Sequence, residues 1–200
     1  MEIRAFILSL LVSVCGPVGV YAAETAASVV SRMSAAVKSL GSYEVTFTVH
    51  AGDYSGNGRY AVSGGDYNLS LAGVDVFGEG AVRYEVNNAQ REITIDTVDT
   101  SSHNILVNPA GGLDFIGDGF TSRIVSQDSY SVVVRLTPTD ATAGTIDVTV
   151  STATWLPSKL VYDLNGDSVA VDITGIAATT ERLAAFDSSA YKGYEIIDFR

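Results

Sequence analysis

The side chains that could perform catalysis are few and scattered along the chain. The two histidines, His50 and His103, do not stand at a spacing typical of metal ligands, and we expect both to be exposed polar residues. The sequence contains neither a Gly-x-Ser-x-Gly nucleophile elbow nor a phosphate-binding Gly-x-Gly-x-x-Gly motif. Nucleophilic and phosphate chemistry therefore have no recognisable site.

Acidic residues are numerous, but no spacing singles out an acid–base pair. Asp96 with Asp99, and Asp114 with Asp118, are close in sequence, yet both pairs lie in or beside a loop, where solvation explains them. The run Asp163–Asp167 (DLNGD) resembles the start of a calcium loop but lacks the later bidentate Glu, and its Asn-Gly pair is a strong hairpin-turn signal. We therefore expect no catalytic residue, metal or cofactor, and we interpret the protein as not being an enzyme.

The N-terminal residues are typical of a secretory signal peptide. Arg4 precedes the apolar run Ala5–Val14, which is too short to span a bilayer and is followed by a Gly-Pro pair. We predict cleavage after Ala22, so that residues 1–22 are the signal peptide and residues 23–200 form one domain. A buried N-terminal helix is the alternative interpretation of the same residues.

Charge and cysteine content narrow the classes of partner. The formal net charge of −11 repels phosphate backbones, so we expect no nucleic-acid binding. The single cysteine, Cys15, lies in the predicted signal peptide, which leaves the mature chain without a disulfide. If the chain were a lipoprotein, Cys15 would be the acylated residue, although the bulky Val14 precedes it where a small residue is needed.

The mature sequence predicts one helix followed by antiparallel strands. Apolar residues recur at three- and four-residue spacing from Ser28 to Leu40, which indicates an amphipathic helix. Period-two alternation begins at Tyr43, and turn signals recur through the rest of the chain. The pattern predicts a mostly β protein: ten or eleven strands in a strongly curved antiparallel sheet that forms a half-open barrel, covered by the N-terminal helix and a central lid segment.

The stretch from Thr97 to Thr121 breaks this alternation. It contains the apolar runs Asn104–Pro109 (NILVNP) and Gly111–Gly117 (GGLDFIG), and we expect one short helix at most within it. Loops of this length inside a compact domain are usually functional or mobile. Because this one is rich in apolar side chains, we interpret it as a lid.

The order of these elements resembles the periplasmic outer-membrane lipoprotein carriers, the LolA-like family. The resemblance covers essentially the whole mature chain, although no single motif is specific. The matching segments are SYEVTF (42–47) after the helix, GRY (58–60), GDY (65–67), FGEGAVRY (77–84), NILVNP (104–109), WLP (155–157) with DLNG (163–166), and YEIIDFR (194–200).

This resemblance implies an apolar cavity that shields lipoprotein acyl chains in the periplasm of a Gram-negative bacterium. An inner-membrane exporter would supply the cargo and an outer-membrane acceptor would receive it, with the carrier a monomer. The arginine that helps to latch the lid in studied carriers has no counterpart at Tyr67-Asn68-Leu69, so either another group closes the lid or the cargo differs.

Two other functions stay open at this point: a lipid- or lipoprotein-sensing module of the same fold, and an unrelated periplasmic β hydrolase. For the carrier, we expect the acyl-chain cavity and its lid to be lined by aromatic and aliphatic side chains. These are Phe47, Tyr60, Leu69, Phe77, Tyr84, Ile93, Leu106, Leu113, Phe115, Val134, Leu136, Val148, Trp155 and Leu160.

Overall fold

The computed structural model describes residues 24–115, 117, 119–139, 144–164 and 166–200. The predicted signal peptide lies outside these residues, as do Asp118 and Asn165 of the motifs considered above. The described part of the chain has no helix whose length and apolar content would let it cross a bilayer.

The described residues form one α-helix, twelve strands and one 3₁₀ turn. In chain order they are α1 (Ala26–Ser39), β1 (Tyr43–Ala51), β2 (Tyr54–Ser63), β3 (Asp66–Leu71), β4 (Val74–Glu79), β5 (Val82–Asn87), β6 (Glu92–Thr97), β7 (Phe120–Gln127), β8 (Ser131–Pro138), β9 (Ile146–Ser151), β10 (Pro157–Leu164), β11 (Asp167–Ala178), the 3₁₀ turn (Ser188–Tyr191) and β12 (Glu195–Asp198).

Helix α1 begins two residues before the predicted start because Thr25 caps it. The Thr25 hydroxyl accepts a hydrogen bond from the Ser28 N–H at 3.2 Å, which satisfies a donor that the helix itself leaves free. The buried stripe contains Val29, Met33 and Val37, in agreement with the predicted periodicity.

The strands form a single curved sheet that does not close, in the order β12-β6-β5-β4-β3-β2-β1-β11-β10-β9-β8-β7. This confirms the predicted fold class, a mostly β half-open barrel with an N-terminal helix. The predicted count of ten or eleven strands is too low, because residues 120–127 form the edge strand β7 although their side chains show no alternation. The last strand, β12, pairs in parallel with β6, which departs from the antiparallel expectation.

The apolar surface of the sheet changes face between β4 and β5. We call the face on which α1 packs the inner face. There, Tyr60, Leu69 and Val76 lie side by side on β2 to β4, but the same row continues into Glu85 and Thr94 on β5 and β6. On the outer face, the side chains become apolar at the strands where those of the inner face become polar. The two ends of the sheet therefore have apolar side chains on opposite faces, and each end needs its own covering segment.

The outer row that contains Asn68 on β3 continues into Phe77 and Tyr84 on β4 and β5, and then into Ile95 on β6. The inner face is covered by α1 and by residues 98–119, which we call the central segment. The outer face of β4 to β6 is covered by residues 179–200, which we call the C-terminal segment. Residues 179–187 of that segment have no regular structure.

Candidate functional site

The central segment does not lie over the sheet as a separate layer; it inserts into the core. Ile105, Leu113 and Phe115 are 0%, 2% and 4% exposed, and they join one cluster with α1 and the inner face. The described part of the segment contains turns but no helix, so the short helix considered above does not form there. These three side chains share one cluster with most of the side chains that the sequence predicts to line a cavity.

All but three of the predicted lining residues lie in or against this core. Two of them, Leu106 and Trp155, are only partly buried at its margin, and the Arg32 guanidinium lies 4.6 Å from the centre of the Trp155 ring. The residues brought together are Phe47, Tyr60, Leu69, Leu106, Leu113, Phe115, Val134, Leu136, Val148, Trp155 and Leu160.

Phe77, Tyr84 and Ile93 lie on the outer face, which corrects their placement in the cavity lining. Phe77 pairs with Tyr84 across β4 and β5, and both rings pack on Phe186 of the C-terminal segment, with centroids 5.9 and 4.2 Å away. Ile93 is 1% exposed beside Val86, outside the main core. The alternation correctly marked these residues as buried, but period two alone does not say which face is the inner one.

Two glycines on the inner face give the aromatic rings their positions. A Cβ atom on Gly58 would lie 2.5 Å from Cζ of Phe47, and a Cβ atom on Gly78 would collide with the Tyr67 ring. Each ring therefore occupies the space above a glycine of a strand close by in the sheet. This gives a physical reason for the glycines of the GRY and FGEGAVRY motifs.

Two buried tyrosines hold the central segment from opposite walls of the sheet. The Tyr162 hydroxyl on β10 accepts a hydrogen bond from the Ile105 N–H at 3.1 Å and donates to the His103 carbonyl oxygen at 3.4 Å. The Tyr67 hydroxyl on β3 donates to the Val107 carbonyl oxygen at 3.4 Å. We call Tyr67 and Tyr162 the tyrosine clamp, because both hydroxyls form hydrogen bonds to the turn at residues 103–107.

The clamp stays protonated because both of its tyrosines are buried. Tyr162 is 2% exposed and Tyr67 is fully buried. Burial raises the pKa of both hydroxyls, most strongly that of Tyr162, because the phenolate would lose its hydration.

Within the segment, Asn108 organises the chain after the clamped turn. It is 4% exposed; its Nδ2 donates to the Ser102 carbonyl oxygen at 3.2 Å, and its Oδ1 accepts from the Gly111 N–H at 3.1 Å. Its carbonyl oxygen accepts from the Gly112 N–H at 2.7 Å. The segment thus has its own internal hydrogen bonds, in addition to those that attach it to the sheet.

Three pockets border the central segment. One of about 270 Å³ separates the end of α1 from residues 110–114, and one of about 180 Å³ separates the start of α1 from Phe115 and Phe120. A third, of about 500 Å³, lies beside His103. With these three pockets, the segment is loosely packed at its borders.

His103 is half-buried against the Phe115 and Phe120 rings, so the expectation that it is exposed is wrong. His50 is exposed, as expected.

Three of the carboxylates considered above, Asp99, Asp114 and Asp163, have structural partners. The Asp99 Oδ1 atom accepts from the Ser101 N–H and hydroxyl at 3.0 and 2.6 Å, and these bonds lower the pKa of Asp99. Asp114 pairs with Lys38 at 2.9 Å, and Asp163 accepts from the Gly166 N–H at 3.3 Å. No group of three His, Cys, Asp or Glu residues among the described positions could hold a metal ion.

Comparison with solved structures shows that the fold is an established one. An uncharacterized conserved protein from Thermus thermophilus is 7% identical over 85% of this chain and 96% of its own, with a TM-score of 0.52. A LolA superfamily protein from Nitrosomonas europaea is 12% identical over 85% and 98%, with a TM-score of 0.41. A putative outer membrane lipoprotein-sorting protein domain from Vibrio parahaemolyticus is 10% identical over 84% and 96%, with a TM-score of 0.43.

At these identities the likeness is one of fold. No protein-family model matches the chain, and no curated protein matches it either. The chain shares its overall architecture with the Thermus thermophilus protein, and that architecture is the one that the sequence predicts: a curved open sheet with an N-terminal helix on its inner face.

Proposed function

We propose that this protein binds acyl chains in its interior, with the central segment as the lid. The observation that carries the proposal is the insertion of Ile105, Leu113 and Phe115 into the core from a segment without helix or strand. Withdrawing these side chains would leave apolar space beside Tyr43, Val62 and Leu136 of the inner face, where a ligand could bind.

The energetics favour reversible exchange. Exposing each withdrawn side chain costs about 1.5–3 kcal/mol, whereas an entering acyl chain gains roughly 0.8 kcal/mol per buried methylene. For three side chains the cost totals about 4.5–9 kcal/mol, which the burial of about 6–11 methylenes would offset, so the lid and the cargo compete for the same apolar surface. A carrier requires this balance because it must release what it binds.

The biological setting that we propose follows from the N-terminal sequence and the LolA-like fold. Residues 1–22 would direct export to the periplasm of a Gram-negative bacterium. There, the mature chain would be a monomeric single-domain carrier that takes lipoprotein acyl chains from an inner-membrane exporter to an outer-membrane acceptor. The sheet, the helix and the lid would perform this task without a catalytic group or cofactor.

The first test is native mass spectrometry of the protein purified from the periplasm, followed by extraction of bound lipid. We expect a co-purifying acyl lipid or lipoprotein. Titration with a fluorescent fatty acid then compares the wild type with Leu69→Gln, which places an amide on the inner face, and with Asn68→Gln, which changes the adjacent outer residue.

Weaker binding is expected for Leu69→Gln alone, and circular dichroism checks that both variants are folded. A clean apo mass together with no binding of the fatty acid would contradict the proposal.

A further inference from the structure

The two free edges of the sheet differ in length and in charge. Strand β12 forms one edge with four residues, and two of these are the acidic Glu195 and Asp198. Strand β7 forms the other edge with eight residues, of which six are exposed, and its single charged residue is Arg123. Short length and charged side chains protect an edge from pairing with a further strand. Among the described strands, β7 is therefore the edge that is better able to accept one.

The register of β7 with β8 shows which backbone groups face away from the sheet. The Thr139 N–H donates to the Gly119 carbonyl oxygen at 3.0 Å, and these two residues continue the register of the two strands. Opposite residues of an antiparallel pair alternate between those that exchange hydrogen bonds and those that do not. Ser122, opposite Leu136, therefore directs its N–H and carbonyl oxygen to the free edge, and the bulge of β7 begins only after Ile124.

The two sides of this edge differ in what they offer to an added strand. Leu136 belongs to the core, so the Ser122 side chain lies on the inner face and that of Arg123 on the outer face. On the inner side, Phe120 and Ser122 line a pocket of about 180 Å³ together with Val30 of α1. The described lining of this pocket includes no charged residue. Because facing residues share a side of the sheet, an apolar side chain opposite Ser122 would lie on the side of this pocket.

Arg123 determines the charge on the outer side of the edge. It lies opposite Arg135, whose guanidinium is paired with Asp147 on β9 at 2.6 Å. Arg123 itself forms no ion pair with any residue that the structure describes. Facing residues of opposite charge stabilise a sheet, and those of like charge destabilise it. A carboxylate beyond Arg123 would therefore extend the row of alternating charge.

We propose that β7 is a docking edge for an extended peptide of a partner protein, which adds to the sheet as a further strand. The peptide has an apolar residue opposite Ser122 and, next to it, an acidic residue opposite Arg123. In this mode of recognition, main-chain hydrogen bonds supply affinity and alternate side chains supply specificity. A second copy of this chain is a poorer match, because β7 has no Asp or Glu to face Arg123. The inference goes beyond the proposed acyl binding and does not depend on it.

The experiment measures the binding of fluorescein-labelled peptides to the full protein by fluorescence anisotropy. The first peptide is TVTVDVTG, in which the valines share one face and the aspartate lies on the other, and the second has lysine in place of aspartate. We expect the aspartate peptide to bind about fivefold more tightly, since an opposite-charge pair replaces a like-charge pair.

Two N-methylated forms of the aspartate peptide test the backbone pairing itself. In the proposed register, the N–H groups of the valines face β7, and those of the aspartate and threonines face away. N-methylation of the two valines that flank the aspartate should abolish binding. N-methylation of the aspartate and of the threonine that precedes it in the other face should leave binding unchanged.

A variant of the edge tests the same pairing from the side of the protein. Ser122→Pro removes an N–H that faces the free edge, a position where a sheet tolerates proline, and should weaken binding of the aspartate peptide about tenfold. The matched control is Ile196→Pro on β12. Glu195 and Phe199 donate to β6, so the N–H of Ile196 points away from the sheet, and this variant should bind like the wild type. Circular dichroism checks that both variants are folded.

Charge reversal gives a readout that does not depend on the absolute affinity. Arg123→Glu should reverse the preference in favour of the lysine peptide, and Arg123→Lys should keep it. Equal affinities of the two peptides for the wild type, binding that survives N-methylation of the valines, or no binding to folded protein would overturn the docking edge. A dimer in sedimentation velocity that Ser122→Pro abolishes would assign the edge to a second copy instead. Titration with a fluorescent fatty acid measures acyl binding separately, so the two proposals can fail independently.

Discussion

Two irregular segments cover apolar parts of the same sheet, and they are attached differently. The central segment on the inner face inserts three buried side chains, but hydroxyl groups of two tyrosines at 3.1–3.4 Å tie it to the strands, and pockets border it. The C-terminal segment on the outer face is held by a ring stack, by side-chain hydrogen bonds and by β12, which extends the sheet.

The contacts of the C-terminal segment are those of a fixed element. Asn68 bonds Ala184 in both directions, with its Oδ1 accepting from the N–H at 2.8 Å and its Nδ2 donating to the carbonyl oxygen at 2.9 Å. Glu79 accepts from the Phe186 N–H at 2.6 Å. One apolar face is thus covered by a segment that continues into an edge strand of the sheet, and the other by a segment that two tyrosine hydroxyls attach to the strands. The difference lies in what holds the cover to the strands.

The largest expected loss of stability comes from weakening the contacts of the C-terminal segment. Phe186 stacks on Tyr84 and Tyr191, with centroids 4.2 and 5.8 Å away. Because Phe186 is only partly buried, Phe186→Ala should lower the free energy of unfolding by about 2 kcal/mol, less than a fully buried Phe costs. Urea denaturation measures this loss, and acyl affinity should not change.

The matched control for this variant is Phe199→Ala, since Phe199 is 66% exposed and should cost less than about 0.5 kcal/mol. A change in acyl affinity in Phe186→Ala without a loss of stability would mean that the outer segment, and not the inner one, is the lid.

The next effect concerns the tyrosine clamp. Tyr162→Phe leaves the Ile105 N–H without its acceptor, so it should cost about 1.5 kcal/mol. If the segment is a lid, hydrogen exchange should accelerate at residues 103–107 first, and acyl affinity should rise because opening becomes easier.

Tyr60→Phe is the control for the clamp, because the Tyr60 hydroxyl is buried without a hydrogen-bond partner among the described residues and its removal should be neutral or stabilising. Uniform acceleration of exchange over the whole sheet in Tyr162→Phe would instead show that the turn is an integral part of the core.

A smaller loss of stability is expected from removing the hydrogen bonds between Asn68 on β3 and the C-terminal segment. Asn68→Ala removes both hydrogen bonds to Ala184, which should cost about 1 kcal/mol and loosen residues 179–187. Hydrogen exchange of those amides is the measurement, and binding of a fluorescent fatty acid should not change. Faster exchange in the central segment would contradict the independence of the two covers.

The sequence predicts the positions of the strands better than it predicts which face of the sheet each apolar side chain occupies. Alternation from Tyr43 onward places the hairpins, and Ile105, Leu113 and Phe115 were expected in a lid from their apolar character alone. Phe77, Tyr84 and Ile93 have the same signal as Leu69, but they face the opposite way. Their burial depends on a segment about a hundred residues further along the chain, and no local pattern reports such a contact.

The tyrosine clamp was missed for a related reason. Tyr67 and Tyr162 belong to separate strands at ordinary core positions, and a tyrosine in a strand is expected for its packing alone. Only the fold brings both hydroxyls to one turn, where they meet backbone groups that have no signature in sequence. The signal that could have been used is the polar tip itself, since a buried Tyr hydroxyl usually needs a partner.

The smallest predicted effect is a pH dependence that the central segment should show and the C-terminal segment should not. The pKa of His103 is lowered, chiefly by burial and against the opposing effect of Asp114, so the folded state binds a proton less readily than the unfolded chain does. Stability therefore rises with pH through this group: its contribution is present above the unfolded pKa of about 6.5 and is lost as the pH falls below it. Acidification from pH 7.5 to about pH 5.5 should lower the hydrogen-exchange protection factors of residues 101–107, which are their exchange rates corrected for the intrinsic amide rate at each pH.

The outer cover should not respond over the same interval, because the lowered pKa values of Asp187 and Asp198 put their titration below pH 4. His103→Gln, which cannot titrate, should remove the pH dependence of the inner cover. If residues 179–187 loosen together with residues 101–107, the two covers open as one unit, and the contrast between a fixed seal and a lid is lost.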